Sequence, residues 1–226
     1  MVLPRPVQAV VFDMDGLLID SEGLVRQGML QAADELGVHM PTALCASLIG
    51  LPINLSQAMI QAHYGPGFDM DLFLVHQRRA IDALFAEGVA LKTGVVELLD
   101  HLDALGLPRA VATSSGRGAV DANLGHNQIL HRFAVIVARE DVTRHKPNPD
   151  PFLKAAALLG VAPQACLALE DSHNGVRAAH AAGMMTVMVP DLLDPTEEMH
   201  AKCVHVAASL HEVRDLIQGA DPAQLA

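Results

Sequence analysis

Val10-Val11-Phe12-Asp13-Met14-Asp15-Gly16 is an apolar run that ends in two carboxylates spaced i, i+2, with a glycine directly behind them. Residues Ala9 to Phe12 read as a short strand buried on both faces, the pattern of a parallel sheet. In open parallel α/β sheets ligands bind just beyond the carboxyl ends of the strands, so both aspartates are expected at such an edge. Two acids that close repel unless a cation or a proton lies between them, which asks for a hard, oxygen-seeking ion such as Mg2+. The pattern is weak alone, because Asp-x-Asp is frequent by chance. Asp69-Met70-Asp71 is an instance: it follows no apolar strand, opens a helical pattern and reads as ordinary charge at a helix N-terminus.

Three later segments strengthen it. Ala110-Val111-Ala112-Thr113-Ser114-Ser115-Gly116 is an apolar strand ending in hydroxyls and a glycine, a cradle for phosphate oxygens where a helix begins, although an N-cap cluster has the same look. His145-Lys146-Pro147-Asn148-Pro149-Asp150-Pro151 puts one lysine in a proline-stiffened loop, with Asp150 as the expected N-cap and Pro151 at the first helical position. Leu167-Ala168-Leu169-Glu170-Asp171-Ser172 ends a third apolar run in adjacent acids, followed by the small residues of Gly175 to Gly183.

In this order the four segments resemble the haloacid dehalogenase superfamily, and within it the phosphatases and phosphomutases that look like β-phosphoglucomutase. The resemblance runs from about Val7 to about Val189. It implies an α/β fold, a Rossmann-like parallel sheet core with an inserted α-helical cap. The organisation along the chain agrees with it. After Gly16 the strand–helix alternation is replaced by helix upon helix, with apolar faces at Val25, Met29, Ala32, Ala33 and Leu36, at Leu55, Ala58, Met59 and Ala62, and at Leu72, Ala80, Ala83 and Leu84. Residues 1–17 and 89–226 are therefore expected to form the core and 18–88 the cap, or lid. Strands are expected at Ala9–Phe12, Arg109–Ala112, Phe133–Ala138, Cys166–Leu169, Thr186–Val189 and Val204–Ala207.

Composition narrows the function. The 226 residues carry a net charge of −11 and no basic run, which argues against holding nucleic acid through its backbone. Three scattered cysteines, Cys45, Cys166 and Cys203, form no Cys-x-x-Cys pair, so neither a disulfide framework nor a zinc site is expected. No apolar run reaches membrane-spanning length and the first residues lack the pattern of a signal peptide. A soluble, cytoplasmic, monomeric protein acting on a small phosphorylated metabolite is the expectation, with no nucleic-acid or membrane partner.

The roles implied by the resemblance are these. Asp13 is the nucleophile that takes the phosphoryl group, and Asp15 the general acid and base. Mg2+ is held by Asp13, the Asp15 carbonyl and Asp171, with Glu170 either a ligand or bonded through a metal-bound water. Thr113, Ser114, Ser115 and Lys146 meet the phosphoryl charge, and Glu22, in an Asp20-Ser21-Glu22 run typical of monophosphate phosphatases, reaches the leaving group. Haloalkanoate dehalogenases lack the second aspartate. The mutases place a coupling histidine where this chain has Val25 and a cation in the lid loop, which here reads Leu48-Ile49-Gly50-Leu51-Pro52-Ile53-Asn54. A Mg2+-dependent phosphatase for a sugar or polyol monophosphate is expected, with a hexose-phosphate mutase as the alternative. A catalytically retired binding module would have lost part of the carboxylate set, and here the set is complete.

Overall fold

The computed structural model describes residues 3–48 and 53–218. The lid-loop residues 49–52 fall outside this range. In chain order the elements are β1 (Ala9–Phe12), α1 (Ser21–Glu35), α2 (Thr42–Leu48), α3 (Ile53–Tyr64), α4 (Met70–Ala86), α5 (Val95–Ala104), β2 (Arg109–Ala112), α6 (Arg117–His126), β3 (Val135–Val137), α7 (Asp150–Leu159), β4 (Cys166–Glu170), α8 (His173–Ala181), β5 (Met185–Met188), α9 (Glu197–Lys202), β6 (His205–Val206) and α10 (Leu210–Gln218). The chain divides into two compact units: residues up to Ile19 and from Ala90 onward form one, and Asp20–Val89 the other.

The first unit is built on one parallel sheet in the order β3-β2-β1-β4-β5-β6. Helical connections carry the chain outward from β1 to β2 and β3, then back across β1 to β4, so the winding reverses at β1. Such a reversal leaves a crevice at the carboxyl ends of the strands on either side of it. Register is fixed by the pairing of Val10 with Arg109 and with Leu167, which puts the last residues of β1, β2 and β4 at one height. β1, β2, β4 and β5 are buried along their whole length, as two-sided cover by helices requires. On one face Phe152, Ala155 and Ala156 of α7 pack with Val11, Ala110, Ala168 and Ala178 in a continuous core, and alanine-rich contact lets helix and sheet approach closely.

Strand positions follow the sequence pattern with small shifts. β3 is confined to Val135–Val137, because a 3-10 turn at Leu130–Arg132 takes up the chain just before it. β4 extends to Glu170, so this acid is the last residue of the strand and not the first of the loop. α7 starts one residue earlier than its prolines suggested: Asp150 lies inside the helix, and its carboxylate pairs with Arg144 at 3.0 Å in place of capping. The short helices α2 and α9 have no clear apolar period in the sequence and were not expected.

The second unit, all helical, has its own core of Met29, Ala32, Ala33, Met40, Cys45, Leu48, Ile60 and Phe73, against which Val25 is packed. Asp69 caps α4 by accepting the Leu72 amide at 2.9 Å, the role expected for that acid pair. The segments through which the chain leaves and re-enters the first unit are paired: Ile19 bridges Leu91, and the Lys92 amide donates to the Leu18 carbonyl at 3.0 Å.

Phe152 is fully buried beneath the sheet's carboxyl edge. Phe152→Ala is expected to cost about 3–5 kcal/mol of unfolding free energy by chemical denaturation, and Phe152→Leu less than about 1.5 kcal/mol, since only the first leaves a large cavity.

Candidate active site

Three of the six strands, β1, β2 and β4, deliver the site, each ending on the same edge. Asp13 follows β1 directly, and its amide donates to the Leu169 carbonyl of β4 at 3.0 Å, so β1 and β4 stay paired to the point where both turn acidic. That juxtaposes Asp13 with Glu170 and Asp171, all three buried, and an oxygen from each lies within 4.8 Å of the others. Lys146, from the loop before α7, sends its ammonium between two of them, 2.5 Å from Asp13 Oδ1 and 2.5 Å from Glu170 Oε1. The ammonium also lies over the Phe152 ring, with Nζ 5.1 Å from the centroid.

Glycines make room for this density of charge. Glu170 is fully buried, and its Oε2 accepts from the Ser172 amide at 3.3 Å and hydroxyl at 3.1 Å, while the same hydroxyl accepts the Gly175 amide and caps α8. A Cβ at position 175 would lie 1.8 Å from the Glu170 carboxyl carbon. Gly16 adopts φ +78°, and a Cβ there would lie 2.2 Å from Asp171 Oδ2. Only glycine fits the conformation and the space.

On the other side of β1, Thr113 follows β2, and its amide donates to the Val137 carbonyl at 3.0 Å. The Ser115 amide donates to Thr113 Oγ1 at 3.0 Å, and the Ser115 hydroxyl donates to Asp15 Oδ2 at 2.6 Å. Thr113 Oγ1 stands 3.4 Å from the same oxygen. Ser114 is exposed. At the start of α6 the Arg117 amide donates to Glu140 Oε2 at 3.0 Å, so this part of the helix terminus serves a side chain of the protein itself.

Glu22 stands in the first turn of α1, in the second unit. Arg78 and Arg79 of that unit are engaged by Asp82 and by Glu35 respectively. Two charged groups near the acids carried no signal in the sequence. Asp191, in the loop after β5, pairs with Lys92 at 2.6 Å, and its other oxygen is buried with no hydrogen-bond partner among the described residues, 3.5 Å from where a Gly16 side chain would begin. Lys92 and Asp191 are 99 residues apart and neither belongs to a motif, so only the fold brings them together.

Burial dominates the electrostatics. It pushes the Asp13 carboxyl up to about 7; Lys146 opposes the rise, while Glu170 and Asp15 add to it. Burial would depress Lys146, but the Asp13 and Glu170 carboxylates outweigh it and hold the ammonium charged above its ordinary range. One ammonium among three buried carboxylates leaves excess negative charge. A donor set made wholly of carboxylate oxygens, with one of the acids resisting ionisation, fits a hard divalent cation.

A family model of haloacid dehalogenase-like hydrolases matches residues 10–189. A Drosophila melanogaster protein described as "Probable pseudouridine-5'-phosphatase" is 35% identical over 217 residues, covering 93% of each chain. The fructose-1-phosphate phosphatase YqaB of Escherichia coli (strain K12) is 31% identical, over 80% of this chain and 95% of its own. Among solved structures, a HAD family hydrolase from Deinococcus radiodurans R1 with bound phosphate and sodium superposes with a TM-score of 0.81 at 28% identity, over 95% of this chain and 96% of that one.

Gly175→Ala is expected to displace the Glu170 carboxylate. Adding Mg2+ should raise the melting temperature of the unaltered protein, since a ligand that binds only the folded state stabilises it. The variant should lose most of that rise. An undiminished rise in Gly175→Ala would separate Glu170 from the cation.

Proposed function

The chain belongs to the haloacid dehalogenase-like hydrolases and is a phosphoric monoester hydrolase; from that premise we propose that it releases phosphate from a small sugar or polyol monophosphate through a phosphoryl group carried on Asp13. The observation that carries the reading is the pairing of Asp13, at the end of β1, with the buried Lys146 ammonium 2.5 Å away, beside a second aspartate that stays half exposed. A carboxylate oxygen of Asp13 attacks phosphorus as the ester bond to the leaving oxygen breaks. Asp15 gives that oxygen a proton, and the same carboxylate later takes one from the water that hydrolyses the acyl phosphate. General acid–base help of this kind is worth about two to four powers of ten in rate.

Lys146, Thr113 and Ser114 are the proposed holders of the transferring phosphoryl group, and Glu22 a contact for the leaving group. Asp13, the Asp15 carbonyl, Glu170 and Asp171 are the proposed holders of Mg2+, which when bound neutralises the phosphoryl oxygens and the acids together. Asp20–Val89 is the proposed lid, sequestering the substrate and setting specificity.

The substrate class rests on two supports. The two relatives described above are named for single-phosphate compounds, pseudouridine 5'-phosphate and fructose 1-phosphate. Within the second unit Arg78 and Arg79 are committed to acids of that unit, and Val25 packs against its apolar core where a mutase has a coupling histidine. Both favour discharge of the phosphoenzyme to water over transfer back to a sugar.

Asp13→Asn is expected to fold as the parent does and lose essentially all phosphate release across a panel of phosphometabolites, because an amide is a poor nucleophile. Substantial residual turnover would sink the mechanism. Incubation with glucose 1-phosphate and a trace of glucose 1,6-bisphosphate should give free phosphate or no reaction. Steady formation of glucose 6-phosphate with little free phosphate would establish the mutase instead.

A further inference from the structure

We infer that Ser115 is a positioning residue for Asp15: its hydroxyl ties down one carboxylate oxygen so that the other faces the leaving group. The inference rests on the reading of Asp15 as the general acid and base, and it assigns Ser115 a part distinct from phosphate binding.

The argument starts from proton supply. A serine hydroxyl has one proton to give. In this structure Ser115 gives it to Asp15 Oδ2 at 2.6 Å, the length of a strong hydroxyl–carboxylate bond. Its amide is also spent, on Thr113 Oγ1 at 3.0 Å. What Ser115 turns outward are lone pairs, which repel the oxygens of a phosphate. The residues around it are better placed to be the phosphate's donors: Thr113, whose hydroxyl reaches Asp15 only at a long 3.4 Å, and the exposed Ser114.

The hydroxyl is also held from both sides. Thr113 fixes the Ser115 amide, and the Ser115 carbonyl accepts the Arg139 amide at 2.9 Å, so the residue is anchored before and after its side chain. The Asp15 side chain is half buried, just beyond β1, and both of its side-chain hydrogen bonds among the described residues fall on the same oxygen, Oδ2. With Oδ2 kept as an acceptor, Oδ1 is the oxygen left to serve the ester. In the first half-reaction the proton on Oδ1 passes to the leaving alkoxide as the phosphorus–oxygen bond breaks, giving the alcohol and the Asp15 carboxylate. In the second, Oδ1 takes a proton from the attacking water and the acid is restored. A carboxyl free to swing would present the wrong oxygen, or the wrong angle, for part of the time, and misplacement of a reacting group by about 1 Å costs on the order of a hundredfold in rate.

The test is leaving-group dependence. An alkyl phosphate needs the acid, whereas the nitrophenolate of p-nitrophenyl phosphate departs without it. Using the full chain with Mg2+, kcat/KM would be measured for the best alkyl ester of the panel and for p-nitrophenyl phosphate, since this quantity reports the steps through loss of the alcohol. For Ser115→Ala the ratio of alkyl to aryl kcat/KM should fall by about 10- to 100-fold, with inhibition by inorganic phosphate unchanged, and Ser115→Thr should restore most of the ratio. In an Asp15→Asn background the added Ser115→Ala should cost little more on the alkyl ester, because the two residues act as one unit. Equal losses on both esters with weakened phosphate inhibition, or a full additional loss in the Asp15→Asn background, would overturn the inference and return Ser115 to the phosphate cradle. If Asp15→Asn itself leaves the alkyl-to-aryl ratio unchanged, the acid role of Asp15 fails, and the inference with it. A failure to release phosphate from either ester by the unaltered protein would refute the phosphatase reading from which both follow.

Discussion

The contact on which the site depends is the placement of the Lys146 ammonium between Asp13 and Glu170. Each partner is buried deeply enough that its charge is costly alone. Carboxylates packed on one strand edge would otherwise push each other apart or take up protons, and the geometry of β1 and β4 leaves them no room to separate. A single internal cation makes the arrangement tolerable without making it neutral. The remaining negative charge suits the site to a second cation, and the neighbouring carboxylates keep Lys146 a charged ammonium beside Asp13. Breaking a buried pair of this kind is typically far more damaging than replacing both members, so Asp13, Lys146 and Glu170 are bound to one another energetically as well as chemically.

Strand order turns this local balance into a site. Because the winding reverses at β1, Asp13 and Thr113, directly after β1 and β2, and Glu170, the last residue of β4, are brought together although they lie far apart in the chain. The register of the sheet sets them at one height, and the turns after each strand need only be short. Gly16 and Gly175 show how little space is left: at both positions a methyl group would overlap a carboxylate. Activity is held here by rigid elements, with the loops adding the Lys146 ammonium and the hydroxyls of Thr113 and Ser115.

Much of this was legible in the sequence, for a physical reason. Strands buried on both faces must be continuously apolar, so a polar residue directly after such a run stands out; acids mark the ends of β1 and β4 in this way, and hydroxyls the end of β2. The helices α1, α3 and α4 announced themselves by a wide apolar face. What the sequence did not disclose lay in elements too short to repeat a period, such as α2 and α9, and in side chains joined only through the folded chain. Lys92 and Asp191 belong to the second kind. So does the direction of the Ser115 hydroxyl: the serine was visible as part of a polar turn, but whether its proton goes to a phosphate or to Asp15 depends on the register between β1 and β2, which no local pattern encodes.

The bridge between Ile19 and Leu91, with the Lys92 amide bonded to Leu18, has an evolutionary consequence. It closes the inserted segment at its neck, so the sheet experiences seventy inserted residues as it would a short loop. The entropic cost of closure grows only slowly with loop length, and insertions with adjoining ends are well tolerated by a host domain. The helical unit can therefore be lengthened, pruned or replaced while the acids on the sheet edge stay where they are. Selection for a new substrate is then free to act on the insert as a cassette, leaving the chemistry in the host to be inherited intact.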